Sequence, residues 1–127
     1  MILDPSNKFL QKLYPNELLT GADIGTLKLD LSGQYGISFH IKNEPEVEIK
    51  KWGVWGKNYN VLVVRFIIQG ELEIQANCND FSGLHVKSLM RIDDRFELIC
   101  EDDIASQFIK LRFKTALFQG ADSYFLE

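Results

Sequence analysis

From Leu27 onward the apolar residues recur at every second position, and this period does more than any other feature to limit what the chain can fold into. Leu27, Leu29 and Leu31 alternate with Lys28 and Asp30. Ile37, Phe39 and Ile41 alternate with Ser38, His40 and Lys42 across a Ser32-Gly33-Gln34 turn, which predicts a β-hairpin. Val61–Ile68 is apolar at nearly every position and predicts a central strand covered on both faces. A turn is expected at Gln69-Gly70, followed by a strand with Leu72, Ile74 and Ala76 on one face. Further strands are expected with Leu84, Val86, Ser88 and Met90 inward, then Phe96, Leu98 and Cys100, then Ile109, Leu111 and Phe113. Val47 with Ile49, and the tail holding Leu117, Phe118, Tyr124 and Phe125 around Gly120, suggest short edge strands.

Helical spacing occurs only near the start. Residues 5–13 place Phe9, Leu10 and Leu13 on one face behind Pro5, Pro15 stops the run, and residues 16–20 add a turn. The expected architecture is mainly β (α+β), with residues 1–127 as a single domain. Six to eight strands and a short N-terminal helix form a single antiparallel sheet, a sandwich or a partly closed barrel.

Composition narrows the function classes. With 46% hydrophobic and 25% charged residues the chain has ample apolar surface to fold, which excludes disorder. A formal charge of -4 argues against direct nucleic-acid binding. Cys78 and Cys100 cannot make a disulfide framework and suit a reducing compartment. The opening Met-Ile-Leu-Asp-Pro-Ser-Asn-Lys lacks the basic start and long apolar run of a secretory signal, and Val61–Ile68 is too short to cross a bilayer. A cytoplasmic protein with no membrane partner is expected.

Catalytic signatures are sparse. The two histidines, His40 and His85, read as sheet-face residues. Cys78, Asp80 and His85 match no metal-ligand spacing. No glycine-rich phosphate loop occurs, and Asp93-Asp94 and Asp102-Asp103 are ordinary turn formers. The expectation is a non-enzymatic protein with no catalytic residue, metal or cofactor.

Two features suit binding. Trp52 and Trp55, set among Lys50, Lys51, Gly53, Gly56 and Lys57, are candidate anchors for a partner, although at least one is expected to pack over the sheet. Asp93, Asp94, Glu97, Glu101, Asp102 and Asp103 make a local acidic surface that would cover a basic groove such as a nuclease active site, or serve only as soluble turns. Lys110, Arg112 and Lys114 are placed to pair with them across neighbouring strands. An alternative is a small-ligand domain, with Phe39, Phe66, Phe96, Phe108 and Phe113 lining a pocket in place of an ordinary filled core. An exposed edge strand would also support a homodimer.

A family resemblance rests on these residues together. The short helix leads into Leu-x-Leu-x-Leu and a glycine-bearing hairpin. Lys51-Trp52 follows in the segment from Pro45, then Trp55-Gly56-Lys57-Asn58-Tyr59-Asn60 runs into Val61-Leu-Val-Val, and Ile67-Ile68-Gln-Gly-Glu-Leu-Glu-Ile74 follows. This pattern, strongest over residues 27–76, resembles the immunity protein 50 family of bacterial polymorphic toxin systems. The resemblance implies a small cytoplasmic protein that binds and neutralises a cognate toxin C-terminal domain, with contact-dependent growth inhibition as one delivery setting. It carries over no catalytic residue and does not fix the toxin's activity. The acidic balance is compatible with a basic nuclease toxin.

Overall fold

The period-two segments become six antiparallel strands of one sheet that bends round into a ring. The computed structural model describes residues 3–4, 7–15, 19–80 and 82–127. Helix α1 (Lys8–Leu13) is followed by β1 (Asp23–Leu29), β2 (Gln34–Ile41), a 3-10 turn (Lys50–Trp52), β3 (Val61–Asn77), β4 (His85–Ile92), β5 (Arg95–Glu101) and β6 (Phe108–Tyr124). Around the ring the strands run β1-β2-β3-β6-β5-β4, so β6 lies between β3 and β5. This is the ring-like, incompletely regular form of the expected β domain, with the smallest strand number anticipated.

β3 and β6 each hold 17 residues and pair from Val61 opposite Tyr124 to Asn77 opposite Phe108. At about 3.3 Å per residue a straight strand of that length would run about 56 Å. A domain of this size has a radius of gyration of only about 14 Å, so the pair must curl. Register shifts between Arg65 and Phe66, and between Gln69 and Leu72, interrupt the ladder and bend it. The second lies where a turn was expected. Gly70 has φ 85, a conformation that glycine adopts without steric cost, and the chain bulges there and continues as strand. At the first shift the backbone N–H of Phe118 donates to the Asp4 carboxylate at 3.1 Å.

The inward alternation holds over most of the sheet. Ile37, Phe39, Ile41, Val64, Phe66, Ile68, Phe96, Leu98, Cys100, Ile109, Leu111 and Phe113 are all buried. Val61 and Leu62 are both buried, so β3 is covered on both faces at its start, as its sequence predicts. Four expectations need correction. Leu31 is wholly exposed because Asp30–Gly33 forms the hairpin turn, in which Asp30 Oδ1 accepts from the Ser32 N–H at 2.9 Å. Met90 faces outward because a register shift between Val86 and Ser88 moves Leu89 onto the core side. Val47 and Ile49 form no strand. The preceding Glu46 N–H instead donates to the Leu13 carbonyl at the helix end (2.8 Å), and Ile49 packs on the core. The tail is the second half of β6, paired along β3 rather than a separate edge strand.

Helix α1 starts at its cap Asn7, whose side chain accepts from the Leu10 N–H. Six residues cannot hold a helix by themselves. Packing does so: Leu10 and Leu13 are buried, and Phe9 contacts Trp52 and Phe118 at ring-centroid distances of 6.1 and 6.0 Å. Pro5 and residues 16–18, which carry part of the helix expectation, lie outside the described residues. Among the described residues no helix is long and apolar enough to cross a membrane.

Leu98 is fully buried between Leu89 and Leu111 of the neighbouring strands, whereas Leu31 touches no core. Leu98→Ala is expected to cost about 3 kcal/mol in urea unfolding, and Leu31→Ala less than about 0.5 kcal/mol.

Candidate functional site

The ring closes at one narrow place. β1 and β4 share a single register pair, Asp23 opposite His85, supported by the Ile24 N–H donating to Leu84 O (3.1 Å) and the Val86 N–H donating to Ala22 O (2.8 Å). Beyond Ile24 a register shift in the β1–β2 pairing carries the strand away from this seam. Gly25 sits at the shift because of a close approach: a Cβ there would lie 2.4 Å from His40 Nε2 and 2.9 Å from Ser38 Oγ.

Past the seam the ring gapes into a cleft of about 780 Å³. One wall is β1, with Ile24, Gly25, Thr26, Leu27 and Leu29, joined by His40 from β2. Opposite lie Ile74 and Ala76 of β3 and Ile109 of β6, and Ser82-Gly83 edges the mouth. Ile74 and Ala76 sit opposite Leu111 and Ile109 in the ladder and so share their face of the sheet. The core nevertheless stops short of Ile74, which is 41% exposed, and Leu29 across the cleft is 52% exposed.

A polar chain runs along the seam. Asp23 takes His85 Nδ1 on one carboxylate oxygen and Lys42 Nζ on the other (3.2 Å). His85 Nε2 then reaches Asp103 at 3.3 Å. His40 is oriented separately, with Nδ1 2.8 Å from the Tyr124 hydroxyl and the two rings edge to face. The grouping of Cys78, Asp80 and His85 is not assembled. Asp80 accepts from the Ser82 N–H, Cys78 lies by the Phe108 carbonyl, and His85 pairs with Asp23 and Asp103. Among the described residues no cluster of three or more His, Cys, Asp or Glu could hold a metal ion.

The acidic residues divide into several environments. Asp93 (φ 56) and Asp94 form the β4–β5 turn, while Asp102 and Asp103 lie beyond the other end of β5, about 26 Å away at strand rise. Lys114, 3.2 Å from Asp94, holds that carboxyl below its usual range. Glu97 is only 8% exposed and accepts from Arg112 Nε at 2.8 Å, with Lys110 at 3.8 Å, so it adds no free charge to the surface. Glu101 is partly buried in the β4–β5–β6 ladder between His85 and Phe108. Asp102 organises its own loop, accepting from the Ser106 hydroxyl (2.7 Å) and the Ser106 N–H (2.8 Å), which lowers its carboxyl likewise. Asp93 and Asp103 are the members of this group left exposed at the surface without a structural task beyond the turn or the His85 contact.

Neither tryptophan stands free as an anchor. Trp52 is 9% exposed, wedged between Phe9 and Tyr59. Trp55 is partly buried, with its ring edge-on to Tyr59 at 5.2 Å. The phenylalanines proposed as pocket lining build the core instead: Phe39 packs on Phe66 and Phe96 stacks on Phe113, all buried, and Phe108 is partly buried. The cleft draws on residues that the sequence alone did not single out, above all Asp23 and Gly25, and on Ile74 and Ala76, which it read only as one face of a strand. Gly25 precedes the alternation that begins at Leu27, so the period gave no signal for the close backbone approach there.

Comparison with known proteins finds no matching family model, no matching curated protein and no matching solved structure.

Two measurements test this geometry. Asp23→Ala removes the side-chain bridge of the seam, so amide exchange at Ile24 and Val86 should quicken about fivefold while the β3–β6 amides keep their protection. Burial pushes the Cys100 thiol up to about 12, whereas Cys78 is partly exposed. A thiol reagent at pH 8 should therefore label Cys78 alone in the native protein, and Cys100 only in denaturant.

Proposed function

We propose that this chain is a non-enzymatic immunity protein, which binds the C-terminal domain of a cognate bacterial toxin in the cytoplasm and neutralises it by covering its active site or holding it in an inactive shape. The family resemblance of residues 27–76 supports this, and those residues include the end of β1 from Leu27, all of β2, the tryptophan loop and most of β3. The observation that carries the proposal furthest is the apolar rim around the β1–β2 hairpin. Leu29 and Leu31 project from the hairpin end of β1, and Ile74 lies across the cleft from Leu29. Large aliphatic side chains left exposed in this way suit a surface that a protein partner covers.

Charge plays a secondary part. Asp93 and Asp103 are the acidic groups best placed to meet a basic toxin surface, since Glu97 is neutralised by Arg112 and Asp102 is committed to its loop. They would raise the association rate more than the final affinity.

Co-expression is the direct test. Expression of the C-terminal domain of the protein encoded immediately upstream should arrest growth, and this chain should restore it. Leu31→Arg should weaken the complex at least about tenfold without lowering the unfolding midpoint. Asp93→Lys with Asp103→Lys should slow association and reduce its salt dependence. Toxicity without rescue would overturn the proposal. Self-association through the same rim, seen as a dimer in solution and lost in Leu31→Arg, would replace it with a homodimer interface.

A further inference from the structure

We propose that the cleft beside the seam is a binding site for a small uncharged amphipathic molecule, one with an apolar body and a single hydrogen-bonding group. This goes beyond the immunity function and does not depend on it.

The volume is the first ground. At about 780 Å³ the cleft lies within the roughly 300–1,000 Å³ typical of small-molecule sites. The lining is the second. Leu27, Leu29, Ile74, Ala76 and Ile109 present aliphatic surface from two walls, and Ile74 and Ala76 lie beyond Leu72, the last β3 side chain packed on the core. An apolar guest would cover Leu29 and Ile74, both substantially exposed in its absence.

The third ground is polar and sets the ligand's character. Asp23 is the one acidic side chain in the lining among the described residues, and both its oxygens are engaged, by His85 and by Lys42. A charged guest would lose hydration without gaining a free counter-charge. His40 differs. Its ring is fixed by the Tyr124 hydroxyl at Nδ1, while Nε2 lies over Gly25 at the cleft wall with no hydrogen-bond partner among the described residues. The absence of a side chain at residue 25 leaves that nitrogen its approach to the cleft. An imidazole nitrogen either donates or accepts according to tautomer, so it suits one neutral polar group on the ligand.

The test uses N-phenyl-1-naphthylamine, an uncharged aromatic probe with one N–H that fluoresces when it leaves water. Titration of the full chain should give a saturable rise with a stoichiometry of one. Ala76→Trp fills the cleft from an exposed position and should weaken binding at least about tenfold with an unchanged unfolding midpoint. His40→Phe keeps the ring and removes Nε2, and should weaken it about fivefold. Should Ala76→Trp fail to fold, Leu29→Gln and Ile74→Gln, both at exposed positions, read the same surface. An unsaturable signal, or saturable binding that Ala76→Trp or the two glutamine variants leave intact, overturns the proposal. Toxin rescue by the same variants is scored separately, so failure of this site and failure of the immunity function are distinguishable.

Discussion

The pairing of β3 with β6 sets the shape of everything else in this ring. Both strands hold 17 residues, but their other neighbours are short. β2 accompanies β3 only as far as Gln69, and β5 accompanies β6 only from Phe108 to Phe113. The half of β3 from Leu72 to Asn77 is therefore paired on one side only. Beyond Leu72, which packs on the core, Ile74 and Ala76 face β1 across the cleft, and the cleft follows from this mismatch in strand length. The bulge at Gly70 is what lets one continuous strand serve both the closed and the open part of the ring.

Sequence periodicity was a good guide wherever a strand kept its register. Phe96, Leu98 and Cys100 face inward, as do Ile109, Leu111 and Phe113, because no bulge intervenes in the β5–β6 pairing. It misled where an extra residue entered a strand. One inserted position inverts every later side chain, which is why Met90 is outside and Leu89 inside. Such an insertion leaves no trace in a count of apolar positions. Gln69-Gly70 shows the related ambiguity, since glycine at positive φ serves a turn and a bulge equally well. The tryptophans carried too little local information for a different reason. Trp52 is covered by Tyr59 nearby and by Phe9, more than forty positions earlier, so a window around Trp52 contains only half of the answer.

The acidic cluster illustrates the same limit for charge. Glu73, Arg112 and Glu97 lie directly opposite one another across β3, β6 and β5, and Arg95 bridges Glu71 and Glu73. The basic residues of β6 thus neutralise carboxylates that a linear reading assigns to an open surface. The expected pairing of Lys110, Arg112 and Lys114 with acidic neighbours does form, at Glu97 and Asp94, and its effect is to dissolve the patch into cross-strand pairs. The surplus negative charge is spread over exposed turns and does not gather over one groove.

Asp23 links the two halves of the functional argument. It is the β1 member of the register pair that, among the described residues, closes the ring, and it also lines the cleft. The seam is held by a few backbone bonds and a partly exposed ion-pair chain, while the β3–β6 ladder extends over the length of both strands. Local opening follows the weakest contacts, so β1 is the wall of the cleft that moves at least cost. A ligand seated against Leu27 and Leu29 would bridge β1 to β3 and stiffen the seam. A protein partner gripping Leu31 would pull on the same strand from its other end. Both forms of binding would thus act on one mechanical element, and the shortest ladder in the ring is the place where its shape can respond to what it binds.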